Sequence, residues 1–177
     1  MSNIYKELSE ERKRLQAEGL VPDWYSTGGY QMFKEKYEYQ TEGRSVRGQF
    51  ERIAKTAAKH LIGTKYEKDA EGKFFNLLWK GWLSPSTPVL ANMGTNRGMP
   101  VSCSGTVVED SVDGFYSNLR EVALLTKYGF GTASDLSHVR PRGSKISVGG
   151  KASGVMPVIK EHVQAMRSIA QGTARRG

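Results

Sequence analysis

The chain has 177 residues, of which 38% are hydrophobic and 25% charged, a composition typical of globular rather than disordered proteins. No apolar run is long enough to cross a membrane and the first residues are polar, so we predict a cytoplasmic protein without a membrane partner. A single cysteine, Cys103, excludes a disulfide scaffold, and three scattered histidines lack zinc spacing, so no metal ligand is predicted. The net charge is +8, and the basic residues in the last part of the chain are interspersed with glycine and serine. This pattern favours discrete phosphate contacts over a nucleic-acid surface.

The first part of the chain is predicted to be mainly helical. Apolar residues recur at helical spacing over residues 4–18, 49–61 and 69–82. Between the first two helices, tyrosines alternate with charges ahead of a Glu-Gly turn, which predicts a hairpin over residues 33–50. We therefore predict a first domain at residues 1–82, helical with one hairpin.

The composition changes at Ser84, where Ser, Thr, Gly and Pro become frequent and helical periodicity is lost. The segments "TPVLA" and "PVSCSGTVV" are predicted to be short buried strands, and helices are predicted over residues 111–128 and 154–171. A loop-rich stretch separates those helices, and a Gly- and Arg-rich loop ends the chain. The order strand–helix–strand–helix indicates an α/β domain at residues 83–177.

Three loops are candidates for chemistry: residues 84–103, 138–153 and 171–177. None is a Walker loop or a dinucleotide-binding glycine pattern. Asp110 either caps the following helix or accepts a hydrogen bond from a ribose hydroxyl, and the local sequence favours the cap. For Cys103, burial, metal ligation, nucleophilic attack and redox pairing all stay open, although a redox pair needs a second cysteine from elsewhere.

An ordered set of motifs covers roughly residues 30–177: "SPSTPVLANMGT", "VSCSG", an aspartate seven residues after the cysteine, "VRPRGSKIS", "GGKASGVMPV" and "QGTARRG". In order and spacing the set resembles the large, catalytic (alpha) subunit of class I ribonucleotide reductase. The resemblance implies a helical N-terminal region followed by the first strands and helices of a ten-stranded α/β barrel, here incomplete.

In that family a thiyl radical starts replacement of the ribose 2′-hydroxyl by hydrogen, and two further cysteines supply the electrons as they form a disulfide. The resemblance implies that Cys103 is the first member of this pair. It implies substrate contacts for Thr87 and Ser102 and, in the second specificity loop, for Gln171 and Arg175.

The resemblance also assigns an effector site for a deoxyribonucleoside triphosphate or ATP to Asp110 and Arg140. Residues 138–150 match the first specificity loop, and the helix 111–128 matches one that pairs across the dimer interface. No ATP-cone domain precedes these segments, which predicts specificity regulation without an overall-activity switch.

The other cysteines of the family lie beyond Gly177, so we expect the chain to be inactive alone. The implied partners are a C-terminal part of the same catalytic subunit, a second large subunit, a radical-generating small subunit, and thioredoxin or glutaredoxin. No cofactor is expected on this chain itself, and the radical comes from a metal-containing small subunit or from adenosylcobalamin. A split gene, an intein junction and a truncation all fit the chain's end, and both diphosphate and triphosphate substrates stay open.

Two alternatives belong to other classes. The first is an inactive nucleotide-binding or regulatory remnant, which binds nucleotide by itself. The second is a basic nucleic-acid-binding protein, suggested by the net charge of +8. The scattered basic residues and the missing recognition-helix pattern make this second alternative the weaker one.

Overall fold

The computed structural model describes residues 2–39, 45–171 and 175–176. The chain forms two compact units, Met1–Pro100 and Val101–Gly177. None of the described helices is both long enough and apolar enough to cross a membrane.

The first unit is helical throughout its described residues. Its elements are α1 (Ser2–Ala17), α2 (Thr27–Met32), a π-helix (Phe33–Tyr37), α3 (Val46–Lys59), α4 (Ala70–Trp79) and α5 (Thr87–Asn92). Serine side chains cap the N-termini of α2 and α3. Ser26 Oγ accepts a hydrogen bond from the main-chain N–H of Gly29, and Ser45 Oγ accepts one from that of Gly48, each at 3.0 Å. The predicted helices over 4–18, 49–61 and 69–82 are thus confirmed as α1, α3 and α4.

The core of the first unit lies where α3 packs on α4 and α5 and where the π-helix packs on α2 and α5. Its buried side chains are Val21, Tyr30, Phe33, Tyr37, Val46, Phe50, Ile53, Leu78 and Ala91. Arg52 on α3 caps the C-terminal end of α5. Its guanidinium donates hydrogen bonds to the carbonyl oxygen of Met93 and, over 3.1 Å, to that of Leu90. Burial lowers the pKa of the Arg52 guanidinium to about 10, and these carbonyls replace part of its lost hydration.

The predicted hairpin over residues 33–50 is wrong where the structure describes it, and its Glu-Gly turn lies outside the described residues. Phe33 and Tyr37 begin and end the π-helix, and both are buried in the core. The intervening charged residues Lys34, Glu35 and Lys36 belong to the same helical turn. The alternation of tyrosines and charges therefore reflected a short helix with one buried side, not a strand.

The strand predicted for "TPVLA" is also wrong, because these residues form α5. Pro88 lies in the first turn of that helix, where its missing N–H is not required and its fixed φ suits the helix. Since α5 packs on α3 and the π-helix, the chain up to Pro100 belongs to the first unit. The sequence analysis instead placed the domain boundary between residues 82 and 83.

The second unit is of the α/β type. It contains β1 (Cys103–Val107), α6 (Val112–Lys127), β2 (Gly131–Asp135), α7 (Val155–Ser168), β3 (Ala170–Gln171) and β4 (Arg175–Arg176). Strands β1 and β2 are parallel, with α6 as the crossover between them, and β3 and β4 pair in antiparallel fashion. The predicted strand at "PVSCSGTVV" and the predicted helices over 111–128 and 154–171 are confirmed as β1, α6 and α7.

We predict opposite effects for two glycine-to-alanine substitutions in the first unit. Gly94 has a φ of +76°, and a Cβ there would lie 2.4 Å from Thr56 Oγ1, so Gly94→Ala should lower the free energy of unfolding by about 2 kcal/mol or more. Gly72 is an exposed residue of α4, and a Cβ there would have nothing within 4 Å, so Gly72→Ala should raise the free energy of unfolding by about 0.5–1 kcal/mol. Urea unfolding measures both, and equal effects would contradict the close approach at Gly94.

Candidate functional site

The parallel pairing of β1 and β2 brings two distant loops to the same edge of the sheet. The strands are in register from Cys103 opposite Gly131 to Val107 opposite Asp135, so both end at the same level. Asp110 follows the end of β1 and Arg140 follows the end of β2. Because the carboxyl ends of parallel strands meet at one edge, these two residues lie together.

Asp110 and Arg140 form a hydrogen-bonded ion pair. Arg140 Nε donates to Asp110 Oδ2 over 2.5 Å, and Arg140 Nη2 lies 3.4 Å from the main-chain oxygen of Asp110. The hydrogen bond from Arg140 lowers the pKa of the Asp110 carboxyl, with the positive charge of Arg140 acting in the same direction. This pair was predicted as an effector site, and the structure does bring its two members into contact.

The cap of α6 is Ser111, not Asp110. The Ser111 hydroxyl accepts a hydrogen bond from the main-chain N–H of Gly114 at 2.9 Å. The local sequence had favoured Asp110 as the cap, but its carboxylate binds Arg140 instead. Neighbouring Asp and Ser residues are both good caps, so the sequence alone does not choose between them.

The loop between β2 and α7 folds back on itself. Gly143 N donates to Ala152 O over 2.9 Å, and Ala152 N donates to Ser144 O over 2.8 Å. At its end, Gly154 has a φ of +78° and a Cβ there would lie 2.8 Å from the main-chain nitrogen of Arg142. Only glycine fits this close approach without strain, so the glycines of this stretch serve backbone geometry.

A groove of about 610 Å³, which we call the α6–α7 groove, opens between the start of α6, this loop and α7. Asp110 and Arg140 stand at its polar side. Its apolar lining includes Phe115, Tyr116, Leu119, Ile146, Val148 and Val158. A cation beside an apolar wall offers one contact for a phosphate and another for a planar base.

Cys103 is exposed at the start of β1, at the opposite end of that strand from Asp110. Ser102 precedes it, and the main-chain oxygen of Ser102 accepts a hydrogen bond from Gly131 N at 2.7 Å. Ser104 and Thr106 are less exposed than Cys103 and Val107, as alternation along a strand requires. The thiol therefore lies on the more open face of β1.

The other predicted substrate residues are in different settings. Thr87 lies in the first turn of α5 in the first unit, where its hydroxyl is 3.3 Å from the hydroxyl of buried Tyr37. Gln171 and Arg175 face each other across the β3–β4 ladder as main-chain partners, and their side chains lie outside the described residues. Roles in substrate binding for Thr87, Ser102, Gln171 and Arg175 stay predictions.

Sequence reasoning missed the polar cluster behind the groove, in which Asn118 of α6 bonds to His162 of α7 and Ser134 of β2. The sequence pattern of α6 is dominated by apolar residues at helical spacing, so it does not single out Asn118. The available signal was its position, four residues before Val122 and eight before Thr126 on the buried face of α6. Within the described residues, no group of three or more His, Cys, Asp or Glu side chains could hold a metal ion.

Comparison with known proteins assigns both units to one family. The model of the ribonucleotide reductase all-alpha domain matches residues 24–98, and that of the ribonucleotide reductase barrel domain matches residues 101–177. The chain therefore belongs to the family of ribonucleotide reductase large subunits. The two matches meet where the compact units divide.

Relatives and solved structures agree with this assignment. The chain is 28% identical over 155 residues to the ribonucleoside-diphosphate reductase large subunit of Vaccinia virus, covering 86% of this chain and 20% of that protein. It is 34% identical over 106 residues to the vitamin B12-dependent ribonucleoside-diphosphate reductase of Mycobacterium tuberculosis, covering 59% and 15%. The Actinobacillus ureae class Id ribonucleotide reductase alpha subunit superposes with a TM-score of 0.71 at 28% identity, covering 84% of this chain and 27% of that one. The chain thus spans about a fifth of the length of the curated relatives it matches.

The ion pair yields a prediction with an internal control. In Arg140→Met the pKa of Asp110 should rise toward its ordinary value, because the hydrogen bond that favours the carboxylate is lost. In the unaltered protein the pair persists above the ordinary carboxyl range and is lost only as pH falls through the depressed pKa. The pKa of Asp135 is lowered chiefly by the main-chain N–H of Ser137, so it should not change. Carboxyl ¹³C NMR titration measures both, and an unchanged Asp110 would contradict the contact.

Proposed function

We propose that the chain forms the N-terminal part of a ribonucleoside-diphosphate reductase catalytic subunit, which reduces ribonucleotides once it is completed by the C-terminal part of the same subunit. The observation that carries the proposal is the arrangement along β1, with an exposed cysteine at one end and the Asp110–Arg140 pair at the other. Both matched domain models belong to this enzyme family. The proposed location is the cytoplasm.

The proposed role of Cys103 is that of a reductant. Its thiol and a second cysteine thiol from the C-terminal part each give up one proton and one electron, and a sulfur–sulfur bond forms. The ribonucleotide loses its 2′-hydroxyl as water and gains hydrogen at that carbon, so the two electrons and two protons balance. Thioredoxin or glutaredoxin then reduces the disulfide by thiol–disulfide exchange.

The radical that starts the reaction comes from outside the described residues. The relatives include a vitamin B12-dependent reductase as well as large subunits, and the solved neighbour is a class Id alpha subunit. We therefore propose either a metal-containing small subunit or adenosylcobalamin as the source. Turnover with and without added adenosylcobalamin separates the two.

The proposed ligand of the α6–α7 groove is a deoxyribonucleoside triphosphate or ATP, bound as an effector. Arg140 supplies a planar cation suited to phosphate, and the apolar lining suits a base. Asp110, held beside Arg140, offers an acceptor for a ribose hydroxyl. Thr87, Ser102, Gln171 and Arg175 are proposed to contact the substrate.

The proposed interface with a second large subunit is the exposed face of α6. Val112, Tyr116 and Leu124 are exposed apolar residues on this helix, at spacings of four and eight residues that place them on one side. An apolar helix face of this kind is typical of a surface covered by a partner. The same helix borders the groove, so effector and dimer contacts would share it.

The redox role of Cys103 predicts that its position as well as its chemistry matters. With the remaining part of the subunit added, Cys103→Ser should abolish nucleoside diphosphate reduction. The exchange variant Cys103→Ser/Ser104→Cys keeps the thiol one residue away, on the other face of β1, and should be equally inactive. Deoxynucleotide formation by chromatography measures both.

A matched substitution, Ser104→Ala, should retain activity, because Ser104 carries no thiol. Activity that survives in the exchange variant would show that thiol position is unimportant. Activity that survives in Cys103→Ser would overturn the redox assignment itself.

The effector role of the groove predicts charge-specific binding. Arg140→Met should weaken binding of deoxyribonucleoside triphosphates by roughly 10- to 100-fold, the range expected for loss of a hydrogen bond to a charged group. Arg142→Met removes the same charge two residues away, where the side chain lines a different cavity, and should weaken binding by less than about 3-fold. Isothermal titration calorimetry measures both, and equal losses would indicate only general attraction by the loop.

A further inference from the structure

A second cavity opens beside the start of α7, and its lining differs from that of the α6–α7 groove. Its volume is about 530 Å³, and three basic residues line it. Arg142 and Lys151 come from the loop before α7, and Lys160 comes from α7 itself. The other lining residues are neutral, and none of the described residues that line the cavity is acidic. We call it the basic cavity.

Main-chain contacts fix the backbone that carries the two loop cations. Gly143 follows Arg142, and its N–H donates to the main-chain oxygen of Ala152 over 2.9 Å. Ala152 in turn follows Lys151, so one hydrogen bond joins the segments on which both cations stand. The close approach of Gly154 to the main-chain nitrogen of Arg142 ties the same loop to the start of α7. The fold therefore sets the positions from which the cations extend.

Lys160 reaches the basic cavity from a helix. It follows Met156 by four residues on α7, and both residues line the cavity, because positions one turn apart share a helix face. The next residue is Glu161, but consecutive residues of a helix do not face each other. Glu161 lines the α6–α7 groove instead, so its carboxylate does not enter the lining of the basic cavity.

Three positive charges around one cavity repel one another unless an anion lies among them. Among the described residues, none of the three cations is paired with a carboxylate. The start of α7 adds a partial positive charge, because its N-cap is Gly154, which has no side chain to cap it, and its first turn has no acidic residue. A multiply charged anion in the cavity would offset this repulsion.

We propose that the basic cavity binds linked phosphate groups, such as those of inorganic pyrophosphate, at a site separate from the α6–α7 groove. Linked phosphates carry several negative charges and many acceptor oxygens, which cations from different elements can contact together. None of the described residues that line the basic cavity is aromatic, whereas Phe115 and Tyr116 line the groove. The basic cavity therefore recognises the phosphates and not a nucleobase.

The basic cavity and the α6–α7 groove adjoin, since Ala152, Ser153 and Pro157 line both. Two sources of linked phosphates therefore fit the basic cavity: a free oligophosphate, or the phosphate tail of a nucleotide whose base lies in the groove. Arg140 already gives the groove a phosphate contact of its own. This contact favours the free oligophosphate as the ligand of the basic cavity.

Isothermal titration calorimetry of the chain with pyrophosphate, at constant ionic strength, tests the site. Lys160→Met should weaken pyrophosphate binding about 10-fold, the loss expected for one hydrogen bond to a charged group. Lys145→Met removes the same charge from an exposed residue of the loop that lines neither cavity, and should weaken binding by less than about 3-fold. Equal losses in these two variants, or no pyrophosphate binding to the unaltered chain, would overturn the proposal.

A competition experiment identifies the source of the phosphates. Saturating dTTP should leave the affinity for pyrophosphate unchanged, and Arg142→Met should weaken pyrophosphate binding while Arg140→Met weakens dTTP binding. Mutual exclusion of dTTP and pyrophosphate would place the nucleotide's phosphate tail in the basic cavity and overturn the separate site. Pyrophosphate binding that depends on Lys160, in a chain that binds no dTTP, would support the basic cavity while contradicting the proposed effector.

Discussion

The parallel pairing of β1 with β2 is the constraint on which the second unit depends. Two parallel strands cannot be joined by a tight turn, so the chain must cross over through a helix, and here that helix is α6. Because Val107 is opposite Asp135, the segments that follow both strands leave the sheet at the same edge. The Asp110–Arg140 pair, the loop folded above it and the groove beside it all follow from this register.

The same strand separates the two proposed chemistries. Cys103 begins β1 and Val107 ends it, and four residue steps of about 3.3 Å each place them about 13 Å apart. The Cys103 thiol and the α6–α7 groove therefore lie near opposite ends of the same strand. Asn118 connects that element to α6 and α7, and α7 leads directly into β3 and the predicted second specificity loop. A ligand that shifts α7 thus has a short physical route toward residues proposed to contact substrate.

The helices were predictable from sequence because their signals are local. Apolar residues at helical spacing predicted α1, α3, α4, α6 and α7 to within a few residues. The π-helix and α5 were not predictable in this way, because they are short segments of mixed composition that are stabilised by packing, the π-helix on α2 and α5 and α5 also on α3. At Asp110, two adjacent residues offered a cap, and only the tertiary partner Arg140 decided which one was used.

The residues of the candidate site likewise divide into those that the sequence predicted and those that only the structure revealed. Cys103, Asp110 and Arg140 were found through ordered motifs, and the structure added that the last two touch. His162 and Asn118 carry no motif, since their role arises from two helices meeting. A buried polar network of this kind depends on distances between elements, which residue spacing does not encode.

The proposed role of Cys103 as a reductant in ribonucleotide reduction can be tested through the state of its thiol after turnover. The assembled enzyme is allowed a limited turnover without external reductant, and its thiols are then blocked and mapped by mass spectrometry. Cys103 should become disulfide-bonded to a cysteine of the C-terminal part, with about one disulfide for each deoxynucleotide formed. Deoxynucleotide formation that leaves Cys103 as a free thiol would contradict it.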